Sequence, residues 1–234
     1  MRTAMVGTVA VAAFMTGCDP SRIPRGEPRH ETRSIDLDKT EMLRVELHFG
    51  AGELRLSGGS PKLLEADFNY DGGYAKPIVD YRASSFRGDL RISQSRNFSG
   101  FNNGDYKWDL RLNDKVATDL VAHLGVGEVH LDAGSLNLRS VEVHMGVGEL
   151  VLDLRGTPKR SYDVEIHGGV GEATVYLPKS VGISARTTGG IGDINVSGLE
   201  KRGGYYVNQS REHDPVMIHV NAKGGIGEIH LIAE

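Results

Sequence analysis

The segment His123–Ala133 reads HLGVGEVHLDA, and His144–Leu154 repeats it 21 residues later as HMGVGELVLDL. Both contain a Gly-x-Gly-acid unit, which occurs six times in the chain. The first glycines of the six units are Gly50, Gly125, Gly146, Gly169, Gly190 and Gly225, at spacings of 75, 21, 23, 21 and 35 residues. We interpret Arg87–Leu90 (RGDL) as a degenerate copy that divides the longest gap. Recurrence at a similar spacing predicts a repeat architecture.

Apolar and polar residues alternate on both sides of the units, as in Val141–Met145 and Glu149–Leu152. A period of two is typical of a β-strand with one buried face. Each unit is therefore predicted to be a strand, a Gly-x-Gly corner and a second strand, because glycine adopts backbone angles that other residues resist. The small apolar residue between the glycines is predicted to fill the core at the corner. The nearest approach to a helical period, Asp114–Val121, is short.

A single strand–corner–strand unit cannot bury its apolar face, whereas stacked copies can. The sequence therefore predicts an all-β, single-domain β-solenoid or roll of six stacked coils, each of 21 to 23 residues where the spacing is regular. A sandwich of hairpins is the alternative, and the regular spacing favours the solenoid. The last unit lies close to the C-terminus, so its outer strand would leave an open edge. We predict that residues 195–215 shield this edge and that the protein is a monomer.

Several function classes are excluded or disfavoured by composition and motifs. The net charge of −4 argues against a nucleic-acid partner. A dinucleotide loop needs a third glycine and a following helix, whereas a predicted strand follows each unit here. Motifs of serine hydrolases and zinc proteases are absent from the sequence. We predict no catalytic residue, no cofactor and no enzyme activity.

Two columns of polar residues follow from the stacking. Histidines stand two positions before the first glycine in four units, and acids follow the second glycine in all six; the members are His48, His123, His144 and His167, and Glu53, Glu128, Glu149, Glu172, Asp193 and Glu228.

Neighbours in a ladder lie about 4.8 Å apart and parallel, so two histidines could share a metal ion but three could not without bending. We therefore assign no metal site, with His123, His144 and His167 as the residues that would form one. The alternative is a solvated column in which each acid accepts corner N–H groups and pairs with a nearby histidine. Because six acids face four histidines, the acids are expected to favour protonation of the column.

Nine of the chain's aromatic residues lie between Phe68 and Trp108. The segment NFSGFNNGDYKW combines aromatic side chains with asparagine and glycine, which suits a sugar or peptide contact surface. The candidate binding residues are Phe98, Phe101, Tyr106 and Trp108. The alternative, which we favour, is that these aromatics cover the open end of the stack.

The N-terminus resembles that of a bacterial lipoprotein. An uncharged apolar run, Ala4–Met15, has the length of a signal-peptide core and is too short to span a bilayer. It leads into Met15-Thr16-Gly17-Cys18, which resembles a lipobox and contains the only cysteine of the chain. The sequence therefore predicts a signal peptide at 1–17, lipidation at Cys18, a polar tether at 18–36 and a β domain at 37–234. Within that domain, 37–112 form the N-terminal part and 113–234 the regular repeats.

Three stretches carry a resemblance to a known family: GAGELRLSGGSPKLLEADFNYD, YKWDLRLND and LGVGEVHLDAGSLNLRSVEVHMGVGELVLDL. They resemble the bacterial toast-rack family of extracytoplasmic β-repeat domains, some of which are described as adhesins. The family is related to the C-terminal domain of LiaF-type envelope-stress proteins. The match covers about Leu37 to Ile232 and implies an all-β toast-rack fold. It implies no activity, cofactor or catalytic residue, and LiaF-type proteins have transmembrane helices where this chain has a signal segment.

These features together predict an extracytoplasmic lipoprotein of the cell envelope that acts as a non-catalytic binding or scaffolding module. Its expected partners are the membrane, through the lipid anchor, and an envelope protein or glycan. A sensory accessory of an envelope-stress system is one alternative. A metal- or glycan-binding module is another.

Overall fold

The computed structural model describes residues 27–71, 76–94, 106–211 and 214–234. Over these ranges the chain forms 17 β-strands and one 3-10 turn, Gln209–Arg211, and no α-helix. The strands are β1 (Pro28–Ile35), β2 (Met42–Ser57), β3 (Leu64–Asp71), β4 (Pro77–Ser84), β5 (Arg87–Gln94), β6 (Lys107–Leu112), β7 (Ala117–Asp132), β8 (Leu138–His144), β9 (Val147–Asp153), β10 (Tyr162–His167), β11 (Val170–Leu177), β12 (Gly182–Thr188), β13 (Ile194–Ser197), β14 (Glu200–Arg202), β15 (Tyr205–Val207), β16 (Met217–Lys223) and β17 (Ile226–Ala233). The prediction of an all-β fold is confirmed, and the short helix-like stretch Asp114–Val121 runs into β7.

Each Gly-x-Gly corner separates two strand segments that contribute to one core. In the coil that contains Gly146, Val141 and Val143 are buried before the corner, and Leu150 and Leu152 are buried after it. The buried positions change from odd to even numbers across the corner, so the chain turns and both segments face inward. Leu47 and Leu54 show the same change, and Ala122 and Val129 show the reverse change, from even to odd. The alternation in the sequence thus becomes a single apolar core enclosed by the coils.

The coils stack through parallel pairing of equivalent strands. We number them by position in the stack, over the described residues: coil 1 is β5 with β6, coil 2 is β2, coil 3 is β7, coil 4 is β8–β9, coil 5 is β10–β11, coil 6 is β16–β17 and coil 7 is β12–β13. The register aligns the repeats, because Gly52 lies opposite Gly127 and Gly127 opposite Gly148. Parallel pairing of this kind is a solenoid and excludes a sandwich of hairpins.

The order of coils in space departs from their order in the sequence at the C-terminal end. The last unit of the chain lies inside the stack, since β17 pairs with β11 on one side and β13 on the other. The prediction that the final unit forms the open edge is therefore wrong. Ile194–Ser197 cover β17 as an outer coil of the stack, whereas β14 and β15 form an antiparallel extension beside β12.

The N-terminal end also differs from the prediction. The predicted polar tether, 18–36, is wrong over 28–35, because these residues form β1 and pair antiparallel with β3. Most side chains of β1 are exposed. An edge strand is held by backbone hydrogen bonds to its neighbour and does not require apolar side chains. Within the described residues, β structure therefore begins at Pro28, ahead of the predicted domain start at residue 37. Residues 1–26, including Cys18, lie outside the described ranges.

Gly88 does not form a corner, contrary to the interpretation of Arg87–Leu90 as a degenerate repeat. It lies within β5, opposite Leu43 of β2. The link between β5 and β6 includes residues 95–105, which lie outside the described ranges.

Candidate histidine and glutamate site

The second glycine of each Gly-x-Gly unit is required by the stacking itself. Gly127, Gly148 and Gly171 have φ values of 138°, 134° and 135°, which side-chain-bearing residues rarely adopt. A Cβ atom on Gly148 would also overlap the carbonyl oxygen of Gly127 in the neighbouring coil. Backbone geometry therefore explains the motif, and the repeated glycines serve the fold rather than a binding site.

The residue between the two glycines does not belong to the core, and its predicted role as a core plug is wrong. Val147 and Ile191 are 50% and 74% exposed. The corner is filled from inside by the residue before the first glycine, as Phe49, Leu124 and Met145 belong to the core or pack against it. The turn at the glycines changes which side of the chain faces inward, an effect that alternation alone does not reveal.

The four histidines form a stacked ladder on the outer face of the strands that precede the corners. Ring centroids lie 4.7 Å apart for His48 and His123, 4.8 Å for His123 and His144, and 4.6 Å for His144 and His167. Successive ring planes differ by 18°, 12° and 5°. Lys223 of coil 6 lies opposite His167 and ends the run of histidines. The predicted column is thus present, with each imidazole partly buried.

The acids that contact the ladder are not those of the corner column. His48 Nε2 and Glu46 Oε1 are 2.7 Å apart, and His144 Nε2 and Glu142 Oε1 are also 2.7 Å apart. These acids stand two residues before their histidine and therefore on the same strand face. In the sequence these acids are marked by the pattern Glu-x-His, at 46–48, 142–144 and 165–167, whereas the Gly-x-Gly unit indicates only the acids after the corner.

The corner acids lie on the other strand series and have other partners. Glu53 pairs with Arg55 and with Lys107 at 3.2 Å. His230 Nε2 lies 3.1 Å from Glu228 and 3.4 Å from Glu172. The corner N–H groups of Gly50 and Ala51 donate to the side-chain oxygen of Gln94. In this coil, the corner acid therefore does not have the predicted role of accepting corner N–H groups.

The charge state of the ladder follows from this arrangement. Burial lowers the pKa of His123, and the neighbouring charges of His48 and His144 lower it further, against a weaker opposing effect of the acids Glu46 and Glu142. The expectation that acids favour protonation of the column is thus wrong for His123. Its own strand carries Val121 at the position where the flanking strands carry Glu46 and Glu142.

Glu46 is held as a carboxylate. Burial by itself would raise the pKa of Glu46, but hydrogen bonds from His48 and Arg91 and the charge of Arg91 outweigh it and place the pKa below the ordinary value. Arg91 donates to Oε2 at 2.8 Å, and His48 contacts Oε1. The two oxygens of Glu46 therefore have separate partners.

The ladder divides into two groups of three potential metal ligands. One consists of Glu46, His48 and His123, and the other of Glu142, His144 and His167; within each group the ligand atoms all lie within 4.8 Å of one another. The sequence-based set of His123, His144 and His167 is therefore split between the groups. Two histidines and one carboxylate are a ligand set that proteins use for zinc.

The aromatic candidates lie in the core where the structure describes them. Trp108 is completely buried and packs edge-on against Phe49 and Phe68, with ring centroids 5.2 and 5.4 Å away. Tyr106 is also buried. The contact-surface interpretation is therefore wrong for Tyr106 and Trp108, whose large rings fill the first coils. Phe98 and Phe101 lie outside the described residues.

Comparison with known proteins identifies the family. The family described as the N-terminal domain of toast_rack matches residues 24–176, and the chain belongs to this family. The family described as "cell wall-active antibiotics response LiaF, C-terminal" matches residues 125–231. The predicted relationship to toast-rack proteins and to the LiaF C-terminal domain is confirmed.

Two solved structures can be compared with the whole domain. The crystal structure of a "putative cell adhesion protein" from Clostridium sporogenes is 36% identical, with a TM-score of 0.85, over 89% of this chain and 100% of that one. The structure of a "putative adhesin" from Bacteroides fragilis is 13% identical, with a TM-score of 0.35, over 87% of this chain and 97% of that one. A search of curated proteins finds no match. Among the described residues, none belongs to a helix long and apolar enough to cross a membrane.

Proposed function

We propose that the protein is a lipid-anchored lipoprotein of the cell envelope whose β domain is a non-catalytic binding or scaffolding module. The observation that carries the anchoring is the position of the only cysteine, Cys18, after the apolar run and within Met15-Thr16-Gly17-Cys18. Family membership supports the envelope location and the absence of catalysis, since the matching family names refer to toast-rack domains and a cell-wall antibiotic response.

The architecture supports the scaffolding role. Equivalent side chains recur on the outer face at a separation near 4.7 Å, as the histidine ladder shows. Such a surface presents the same groups repeatedly along the stack and suits an extended partner in the envelope. The similar structure named as a cell adhesion protein agrees with a role in binding.

Anchoring is tested by labelling cells with a clickable palmitate and fractionating them. The wild-type chain is expected to carry label and to sediment with membranes, and Cys18→Ala is expected to lose both. Ser21→Ala, a variant three residues away, is the matched control and should retain both. Label and membrane association that persist in Cys18→Ala would disprove the anchor.

A sensory accessory of an envelope-stress system is the second candidate. The observation that favours it is the match of residues 125–231 to the LiaF C-terminal family, a range that includes His144 and His167. Crosslinking in the native host, followed by mass spectrometry, distinguishes the candidates. Recovery of a membrane histidine kinase supports the sensory role, and recovery of structural envelope proteins or glycans without a kinase supports the scaffold.

A further inference from the structure

We infer that the histidine ladder binds two transition-metal ions of the zinc class, one at Glu46, His48 and His123 and one at Glu142, His144 and His167. This inference does not depend on the lipid anchor or on the identity of any partner.

The first argument is the construction that the two groups share. In each, one strand supplies a glutamate and a histidine two residues apart, and the next coil supplies the second histidine from the same row. Coils 2 and 3 form the first group, and coils 4 and 5 form the second. Each of the four histidines is used once, and the ligands of each group remain on one strand face.

The second argument is distance. In tetrahedral zinc sites the metal lies about 2.0 to 2.2 Å from nitrogen and oxygen ligands, which places the ligand atoms roughly 3.4 Å from one another. The 2.7 Å contact of His144 with Glu142 must open slightly. The stacked histidine pair, with ring centroids 4.6 Å apart, must tilt so that its nitrogens converge. Because all of these side chains are only partly buried, we expect side-chain rotation to make both adjustments without a change in strand pairing.

The third argument concerns the ligands' chemical state. A histidine binds metal in its neutral form, and a carboxylate binds when ionised. Arg91 donates to one oxygen of Glu46 and leaves the other directed at His48, an arrangement typical of a residue that orients a metal ligand. With three protein ligands, each group leaves one coordination position open to water or to a group on a partner.

The ladder has clear limits on both sides of these groups. On the side of coil 6, Lys223 takes the position opposite His167, so the row of imidazoles ends there. On the side of coil 1, Ser93 lies opposite His48. Glu165, the third acid of the row, accepts a hydrogen bond from Asn221 at 2.8 Å. The described residues therefore provide ligands for two metal ions. The two ions would be separated by two strand spacings, or about 10 Å.

The test uses the full-length chain carrying Cys18→Ser, which removes the only thiol that could bind zinc. Metal-free protein is dialysed against micromolar Zn²⁺, and bound zinc is measured by elemental analysis. We expect two ions per chain, one in His144→Gln or Glu142→Gln, one in His48→Gln, and none in the double variant His48→Gln/His144→Gln. Co²⁺ should give the intense visible absorption of a tetrahedral site, and Mg²⁺ and Ca²⁺, which prefer oxygen ligands, should not compete.

The matched controls are His130→Gln and His230→Gln, which alter histidines of the other strand series, outside the two groups. Both should keep two ions. The side chain of Glu142 is 45% exposed, more than that of His144, so Glu142→Gln keeps the test informative even where a histidine variant is less stable. Fewer than one ion per chain in the wild type, or a zinc content that Glu142→Gln and His144→Gln leave unchanged, would overturn the inference.

Discussion

Among single residues, the glycines with positive φ are the most constrained. Gly148→Ala is expected to destabilise the domain by more than about 1 to 3 kcal/mol, the usual cost of backbone strain, because the new Cβ would also overlap the carbonyl oxygen of Gly127. Gly59→Ala is the matched control: its φ is 85°, and a Cβ there meets nothing within 4 Å. Urea denaturation of both variants measures the difference. Equal losses would show that the close approach of the coils contributes nothing.

The lowered pKa of His123 predicts a dependence of stability on pH. Because the unfolded chain takes up a proton on this residue more readily, stability is complete above the ordinary histidine pKa near 6.5 and is lost as the pH falls below it, towards the lower pKa of the folded state. The metal-free protein should therefore melt at a lower temperature at pH 5.5 than at pH 7.5. His123→Gln should reduce this drop, whereas His219→Gln, on the exposed part of β16, should leave it unchanged. A melting temperature that is constant or rises towards pH 5.5 would contradict the prediction.

The residue-level predictions are confirmed where they depend only on the register of the coils. The glycines and the histidine column follow from the Gly-x-Gly repeat, since both depend only on coils being in register. The partners of the histidines do not follow, because the corner reverses the inward-facing side and moves Glu53 and Glu128 to the other strand series. For the same reason Val147 is exposed although its apolar side chain suggested a core position.

Among the strands, burial differs sharply between neighbours in the outer coils. Leu231 of β17 is fully buried, and its direct partner Val196 in β13 is only partly buried. Leu231→Ala should cost about 2 to 5 kcal/mol of unfolding free energy, and Val196→Ala should cost less than about 1 kcal/mol. Chemical denaturation of the two variants tests this directly. A comparable loss of unfolding free energy in both variants would contradict the internal position of β17.

The strands themselves were readable from alternation, but β1 was not. Its sequence, PRHETRSI, is polar and begins with proline, so composition favoured a tether. An edge strand can have such a composition because β3 supplies its hydrogen bonds and its side chains face solvent. Edge strands are therefore the elements that hydrophobic patterning detects least well.

For the whole molecule, the edges bear on its association state. Charged residues protect three of the outermost strands: Arg29, Glu31 and Arg33 in β1, Asp80 and Arg82 in β4, and Glu200, Lys201 and Arg202 in β14. The fourth, β13, is uncharged but only four residues long. We predict a monomer in sedimentation analysis of the full-length chain carrying Cys18→Ser. A tight dimer would contradict this, and its dissociation by Asn195→Lys would locate the contact at β13.

The order of the coils could not be predicted from the repeats. Gly190–Asp193 and Gly225–Glu228 are nearly identical in sequence, so nothing in either unit indicates which is internal. The longer interval of 35 residues between them marks an irregularity without revealing its nature. Only the pairing of β16 and β17 with coils on both sides shows that the chain leaves a gap and returns to fill it.

The position of β16 and β17 between coils 5 and 7 determines when the stack of coils can form completely during synthesis. A chain emerging from the ribosome or a secretion channel with its N-terminus first releases residues 182–197 before their neighbours in the stack exist. The edges of β10 and β11 stay unpaired until residues 217–233, which come later in the chain, have been released. A chain that ends prematurely before Met217 would thus contain two unconnected groups of strands rather than a shorter stack. The stack is therefore closed only when this later segment pairs with the strands that precede it in the sequence.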